Sequence, residues 1–342
     1  MLADLTRLFY ELLIIIAVGG IAFFTVIIVT TRNTIKPLTV LAEAAGRIGS
    51  GNFNTIIPST KYNDEIGRLS RSFELMQEDL RQYVKNLEIT TAAKEKIESE
   101  LRIAHDIQMS IVPKIFPPYP NKKEFDLYAI LKPAASVGGD IFDFFLINDN
   151  TLCIVVGDVS GKGVPAALFM AITRTLLRTK TAMLLHAADI TRSMNEDLCT
   201  DNDMSMFVTF FIGILDIVSG KLEYTNAGHN RPYMIRISGT MEILEGNHGM
   251  PLGITAGGEY LSGSITMSPG DKLVLFTDGV TESKNKSNVF YGEERFERCL
   301  CAKKKSMARE MINELKNDLD VFSEGVQQFD DITILALEYF GA

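Results

Sequence analysis

Aspartates stand in four clusters along the chain, each with glycine or a second aspartate beside it. The clusters are Gly138-Gly139-Asp140, Gly157-Asp158-Val159-Ser160-Gly161, Thr277-Asp278-Gly279 and Asp330-Asp331. In three of them an apolar run meets the aspartate directly, in CIVVGD, LVLFTD and DDITILAL, so each carboxylate is expected at the end of a buried strand. One such aspartate alone is commonly a turn residue or a helix cap. Four together, with no cationic side chain in their motifs to balance them, would repel one another, and they predict a site for hard divalent cations.

Seven stretches within residues 125–338 resemble the SpoIIE/RsbU group of protein phosphatase 2C-type enzymes. In chain order they are KPAASVGGDIFDFF (132–145), VVGDVSGKGVPAALFMA (155–171), YTNAGHNRPYM (224–234), MPLGI (250–254), GDKLVLFTDGVTES (270–283), YGEERF (291–296) and DDITILAL (330–337). The resemblance implies an α-β-β-α sandwich with a site for two metal ions, Mn²⁺ or Mg²⁺, at one edge. It also implies a protein serine/threonine phosphatase in which the two ions activate water, so that no phosphoenzyme forms.

Site residues follow from the matching motifs. The resemblance implies that Asp158 bridges both ions and that the Val159 backbone carbonyl binds one of them. Asp278 and Asp330 would hold the second ion, and Asp140 would support the first, directly or through water.

Four more residues are candidates for secondary roles: Asp331, Gly139, His229 and Lys162. Larger phosphatases of this type carry a histidine two residues after the bridging aspartate, where this chain has Ser160. The general acid therefore stays open between a water molecule held by the metal and Lys162. His229, in NAGHN, is expected to order a turn beside the site rather than to donate a proton.

Composition excludes some functional classes. The 342 residues include 43 acidic and 34 basic ones, with a net charge of -9, which argues against a nucleic-acid-binding protein. The cysteines are too few and too unevenly spaced for a disulfide framework, and free thiols in a reducing cytosol are expected: Cys153, Cys199, Cys299 and Cys301.

The N-terminal region contains an apolar run. Leu12 to Thr30 carries no charge over 19 residues, about the length of a membrane-spanning helix, and this interpretation is favoured over a buried core helix or a cleaved signal peptide. Arg32, Lys36 and Arg47 follow the run, which predicts a cytoplasmic catalytic domain on a bacterial inner membrane. Only about ten residues precede it, so the signal is expected to enter through the membrane or a partner, unless the chain is a truncated form.

The region after the apolar run resembles a HAMP domain. A helix is expected from Ile35 to Ile48, followed by a connector containing glycines and a second helix that begins near Asp64. The residues that match are Pro37, Gly49, Gly51, Phe53, Asp64, Glu65, Ile66 and Gly67. The resemblance implies a parallel four-helix bundle formed by two chains.

The second helix continues as a predicted coiled coil. Steps of three and four residues from Phe73 to Ile111 give twelve seam positions, nine of them apolar or aromatic, with Thr90, Lys94 and Gln108 as the polar exceptions. The pattern favours a homodimer over an amphipathic helix packed on its own domain. Prolines from Pro113 to Pro120 end the helix.

The predicted divisions of the chain are 1–11 (extracytoplasmic), 12–31 (transmembrane), 32–84 (HAMP), 85–120 (coiled-coil linker) and 121–342 (phosphatase).

The C-terminal region predicts a mainly antiparallel α+β domain, since its strands lack regular intervening helices. Strands are expected at 126–131, 152–156, 207–215, 222–225, 233–237, 273–276 and 332–337. Helices are expected at 164–178, 187–199, 293–301 and 307–321.

Together these features predict a membrane-anchored phosphatase of a signalling switch. The resembling family implies a substrate that is a phosphorylated STAS-domain protein, an anti-sigma factor antagonist. The alternatives are a sensor histidine kinase, for which His105 lacks the following ATP-binding boxes, and a non-catalytic phosphoprotein-binding scaffold. A diguanylate cyclase is disfavoured because Ile141 and Phe142 replace the Glu-Phe expected after Gly-Gly-Asp.

Overall fold

The computed structural model describes residues 2–57, 64–246, 248–302 and 306–342. The chain divides into two compact units, Met1–Ile97 and Glu98–Ala342. Residues 58–63 of the predicted HAMP domain lie outside the described residues.

The first unit is helical. Helix α1 (Leu2–Thr30) passes through a short π-helical turn (Thr31–Ile35) into α2 (Lys36–Gly49), and α3 (Glu65–Ile111) begins after the connector. Within the described residues, the continuous helical stretch Asp4–Gly49 is the one long and apolar enough to cross a membrane, and its most apolar window is fully exposed. The predicted membrane helix is thus a helix, and the helices expected on either side of the glycine-containing connector are confirmed.

A small core joins α2 to the start of α3. Leu41, Ala44 and Ile48 pack with Ile57, and the aromatic ring of Phe53 lies against them. The Gln77 side-chain amide donates hydrogen bonds to the backbone carbonyls of the connector at Phe53 (2.9 Å) and Thr55 (2.6 Å). Further along α3 the predicted seam is solvent-exposed within the single chain, at Met76, Tyr83, Leu87 and Ile97.

The second unit contains two five-stranded antiparallel sheets. One has the strand order β1-β10-β9-β6-β7 and the other β2-β3-β4-β5-β8. The strands are β1 Phe125–Lys132, β2 Ile141–Asn148, β3 Thr151–Val159, β4 Val208–Asp216, β5 Lys221–Ala227, β6 Tyr233–Ile235, β7 Met241–Ile243, β8 Gly263–Thr266, β9 Lys272–Phe276 and β10 Ile332–Tyr339. The helices are α4 Val164–Thr181, α5 Ala187–Cys199, α6 Asp278–Thr281, α7 Gly292–Ala302 and α8 Ala308–Phe322.

Three apolar layers hold these elements together. The central layer lies between the two sheets and includes Leu127, Phe142 and Phe211. A second layer packs α4 and α5 against the β2–β8 sheet, and a third packs α7 and α8 against the β1–β7 sheet. The predicted α-β-β-α sandwich is confirmed, and every strand and helix predicted in this region is present with its bounds shifted by a few residues at most.

Strand β2 was missed by the sequence analysis. Its sequence, IFDFFLIN, places Asp143 among apolar residues, and this carboxylate is completely buried. Two guanidinium groups of α4 neutralise it, with Nε of Arg174 at 3.0 Å and Nε of Arg178 at 2.8 Å from Oδ2. A buried charge needs such partners, and they lie more than 30 residues away in sequence. Strands β7 and β8 and the short helix α6 were also missed.

Candidate metal centre

The four aspartate clusters meet at one end of the sandwich. Asp158 lies near the end of β3, and Asp140 immediately precedes β2, which pairs with β3 in the same sheet. Asp278 follows β9 and Asp330 precedes β10, which are neighbours in the other sheet. The stacking of the two sheets therefore brings together carboxylates that are far apart in the sequence, as the strand-end pattern predicted.

Asp140 links the two sheets. It is 2% exposed, and its Oδ2 accepts hydrogen bonds from the hydroxyl groups of Thr277 (2.8 Å), directly after β9, and Thr333 (2.5 Å), in β10. Burial raises the pKa of Asp140 well above its ordinary value, and the nearby Asp158 adds to this effect. Sequence reasoning gave neither threonine a role, although Thr277 belongs to the third aspartate cluster and Thr333 stands two residues after the fourth.

Asp158 lies close to several other carboxylates. Burial raises its pKa to about 7, and the charges of Asp278, Asp330 and Asp331 contribute to the rise. The pKa of Asp278 is also raised, by burial and then by Asp330. These groups therefore experience one another's negative charge, which a bound cation would relieve.

Lys162 corrects one expectation. The four clusters were expected to have no balancing cation, but Lys162, next to the second cluster, places its Nζ 3.0 Å from Oδ2 of Asp330. Its ammonium group also donates to the Phe329 carbonyl and lies 3.8 Å from the centre of the Phe329 ring. Its positive charge lowers the pKa of Asp278 slightly against the larger opposing effects.

Asp331 organises the loop that ends at Asp140. Its Oδ1 accepts the N–H of Ala134 (2.7 Å), and its Oδ2 accepts the N–H groups of Gly139 (2.7 Å) and Asp140 (3.3 Å). The loop approaches so closely that a side chain on Gly138 would collide with the Asp331 carboxylate. With both oxygens used in this way, Asp331 is placed to hold the loop rather than to bind an ion.

The same loop is held from the other side by α3. Gln108 donates from Nε2 to the carbonyl of Gly138 (2.6 Å), and its Oε1 accepts the Gly138 N–H (3.1 Å). His105 approaches the Ser136 carbonyl through Nδ1 at 2.7 Å. The assignment of Gln108 to a coiled-coil seam is therefore wrong, because this side chain is buried against the loop before Asp140 in its own chain.

His229 forms part of a turn. Its N–H donates to Oδ1 of Asn226 (2.7 Å), and its carbonyl accepts from Nδ2 of the same residue (3.0 Å). The ring Nδ1 lies 2.9 Å from the hydroxyl of Thr209, which pairs with Asp158 across the β3–β4 ladder. Burial lowers the pKa of His229 to about 4, so the ring is neutral near pH 7. A neutral ring in a turn agrees with the expected ordering role.

The donor set suits divalent cations. Within the described part of the chain, no group of three or more histidine, cysteine, aspartate or glutamate side chains is already arranged to hold an ion. The converging groups are nevertheless carboxylates, the hard oxygen donors that Mg²⁺ and Mn²⁺ prefer. A side chain at Gly139 would come within 2.9 Å of the Val159 carbonyl oxygen, so glycine leaves that candidate ligand accessible.

Comparisons with known proteins agree with this architecture. Residues 148–340 match the family described as Stage II sporulation protein E (SpoIIE), and residues 29–82 match the HAMP domain. Protein IcfG of Synechocystis is 30% identical over 95% of this chain, and Phosphoserine phosphatase RsbU of Bacillus subtilis is 29% identical over 71%. This chain spans 54% of the length of IcfG and 71% of that of RsbU.

A solved structure shows the same fold. The SiaA-PP2C domain of Pseudomonas aeruginosa superposes with a TM-score of 0.65, at 22% sequence identity, over 72% of this chain and 99% of that domain. The apolar helix and the HAMP match together indicate a single-pass membrane protein. Because the family match covers more than half of the chain, this protein belongs to the SpoIIE family of PP2C-type phosphatases and carries a HAMP domain before its catalytic fold.

Proposed function

We propose that this chain is a membrane-anchored, metal-dependent protein serine/threonine phosphatase. The observation that carries the proposal is the convergence of Asp140, Asp158, Asp278 and Asp330 at one end of a PP2C-type sandwich. Family membership supports the same activity. A non-catalytic scaffold is disfavoured because none of the four aspartates is replaced, and a histidine kinase is disfavoured because no ATP-binding boxes follow His105.

Each part of the site has a role in the proposed reaction. Asp158, the Val159 carbonyl, Asp278 and Asp330 would hold two ions, Mn²⁺ or Mg²⁺. When bound, such ions supply an activated water and neutralise charge on the phosphoryl oxygens. Asp140, fixed by two threonine hydroxyls, would orient this set.

Residues around the proposed metal ligands stabilise the geometry of the site. Asp331 holds the loop that ends at Asp140, with three backbone N–H groups on its carboxylate. His229 is neutral and buried, so it neither donates a proton as imidazolium nor adds charge at the site. Ser160 accepts a hydrogen bond from the Phe207 N–H through Oγ (3.0 Å), which ties down the turn after Asp158.

The substrate that we propose is a phosphorylated STAS-domain protein of the anti-sigma factor antagonist type. The motif resemblance to the SpoIIE/RsbU group supports this class, and the family match agrees with it. The basic residues that follow the apolar helix favour a catalytic unit on the cytoplasmic side of a bacterial inner membrane. The HAMP match and the exposed apolar seam of α3 support a homodimer.

A phosphate-release assay tests the proposal. The full chain in detergent micelles is expected to release phosphate from a phosphoserine STAS-domain protein in Mn²⁺ or Mg²⁺ and to lose this activity on chelation. Asp158→Asn and Asp278→Asn are expected to lower turnover by orders of magnitude with the fold intact by circular dichroism. Asp189→Asn, which removes an exposed carboxylate paired with Arg192, serves as the control. Full activity in excess EDTA would contradict the two-metal mechanism.

A further inference from the structure

Lys162 is held at the candidate metal site by three contacts. Its Nζ forms an ion pair with Asp330 (3.0 Å), donates to the Phe329 carbonyl and faces the Phe329 ring at 3.8 Å. The Lys162 side chain remains 43% exposed and the Asp330 side chain 26% exposed. The ammonium group therefore lies at the rim of the site, between the carboxylate cluster and solvent.

The backbone at Lys162 has an unusual shape. Gly161 and Gly163 on either side of it have positive φ values of 83° and 78°, which glycine adopts without strain. No atom lies within 4 Å of the place where a Cβ would stand on either glycine. Lys162 is therefore carried on an open turn, with free space at both flanking positions, and its own contacts are those with Phe329 and Asp330.

The ion pair conflicts with the role of Asp330 as a metal ligand. An ammonium group and a divalent cation close to one carboxylate repel each other, since like charges about 4 Å apart cost on the order of 1 kcal/mol for each pair of unit charges even in water. When Asp330 ligates a cation, Lys162 loses its partner. A phosphoryl group must approach the same carboxylate edge to react, and it then brings an anion within reach of the Lys162 ammonium group.

We propose that Lys162 is a displaceable counterion of Asp330 that contacts the phosphoryl group of the substrate once Asp330 ligates a metal ion. Before metal binding, Lys162 offsets part of the negative charge of the carboxylates, and it competes with the metal for Asp330. After metal binding it supplies positive charge to the phosphate. This inference rests on the proposed function, because it takes Asp330 as a ligand and a phosphoryl group as the substrate.

The first measurement is the affinity for Mn²⁺, by isothermal titration calorimetry of the metal-free full chain in detergent micelles. Lys162→Met and Lys162→Gln are expected to bind Mn²⁺ about two- to fivefold more tightly than the natural protein, because no exposed ion pair has to be broken. Lys162→Arg keeps the charge and is expected to bind like the natural protein. Unchanged or weaker Mn²⁺ binding in both neutral variants would overturn the proposal.

A matched control is available on α8. Lys316 pairs with Asp320 at the same distance, 3.0 Å, and with a similar exposure, 44%. Lys316→Met removes an equivalent ion pair outside the aspartate cluster and is expected to leave Mn²⁺ affinity unchanged. An equal gain in both methionine variants would trace the effect to net charge and overturn the proposal.

The second measurement is the binding of inorganic phosphate to the Mn²⁺-saturated protein. Lys162→Met is expected to weaken phosphate binding about tenfold, the loss of one hydrogen bond between charged groups. Equal phosphate affinity would overturn the contact with the phosphoryl group. If no phosphoprotein is hydrolysed but both binding changes occur, the proposed function fails while the assignment of Lys162 stands.

Discussion

At the scale of single residues, we expect the buried imidazole of His229 to make the free energy of unfolding depend on pH. Its pKa is about 4 in the folded protein against about 6.5 in an unfolded chain, so protonation favours unfolding. The stability that the neutral ring contributes is complete above pH 6.5 and is lost as the pH falls towards 4. This loss amounts to about 3 kcal/mol at most, at 1.36 kcal/mol for each pKa unit.

Thermal melts between pH 4 and pH 8 check this prediction. His229→Gln is expected to be less stable than the natural protein at pH 8, since the ring also fills buried space, and the difference is expected to shrink as the pH falls below 6.5. His186→Gln, which alters an exposed ring paired with Glu223, is the control. A difference that stays constant across this pH range would show that His229 is not buried as a neutral group.

Gln108 is a second residue with a measurable role. Gln108→Leu removes both hydrogen bonds to Gly138 and leaves a buried backbone N–H and C=O without these partners, at a cost of about 1–3 kcal/mol for each group. Because the loop ends at Asp140, we expect a lower melting temperature, weaker Mn²⁺ binding and lower turnover. Ser110→Ala, on the same helix and bonded only within it, should change none of these quantities. If Gln108→Leu binds Mn²⁺ as tightly as the wild-type protein does, the contact between α3 and this loop does not affect the metal site.

At the scale of elements, the sequence predicted the helices and strands whose pattern of apolar residues lies within their own segment. Helix α5 has the predicted bounds, since its apolar spacing is that of an amphipathic helix. Strand β2 was missed because Asp143 interrupts its apolar run, and its partners Arg174 and Arg178 lie on α4. Gln108 was misassigned for the same reason, because its partner Gly138 is 30 residues away. The convergence of the four aspartates was predictable from their positions at strand ends, whereas the contacts of Asp140 with Thr277 and Thr333 depend on how the two sheets stack.

Helix α3 is expected to transmit its signal through rotational phase. Deleting seven residues within 85–99 preserves the coiled-coil phase, whereas deleting two rotates the downstream part by roughly 150°. We expect near-normal basal activity and some regulation after the seven-residue deletion, and activity locked high or low after the two-residue deletion. Turnover of a phosphorylated partner by matched dimers measures this. Equal activity and regulation in the two deletions would make the helix a passive tether.

At the scale of the whole molecule, we expect a dimer formed within residues 35–111, upstream of the contacts that His105 and Gln108 make with their own chain. Apolar side chains stand exposed along α3 in the single chain, including Met76, Tyr83, Leu87 and Ile97. Each contributes about 1.5–3 kcal/mol when fully buried against a partner. Light scattering should find a dimer for the cytoplasmic part and a loss of most of the association for a chain that starts at Phe125. Monomers in both cases at micromolar concentration would contradict the dimer.

The position of β10 has a consequence for biosynthesis. This strand lies between β1 and β9, and residues 330–331, just before it, supply one candidate ligand and the carboxylate that holds the Asp140 loop. A nascent chain that has not yet reached Asp330 has neither a complete sheet nor a complete site. If Asp330 ligates a metal ion as proposed, we expect the nascent chain to be inactive until β10 has been synthesised, and a premature stop codon upstream of residue 330 to yield no partly active enzyme.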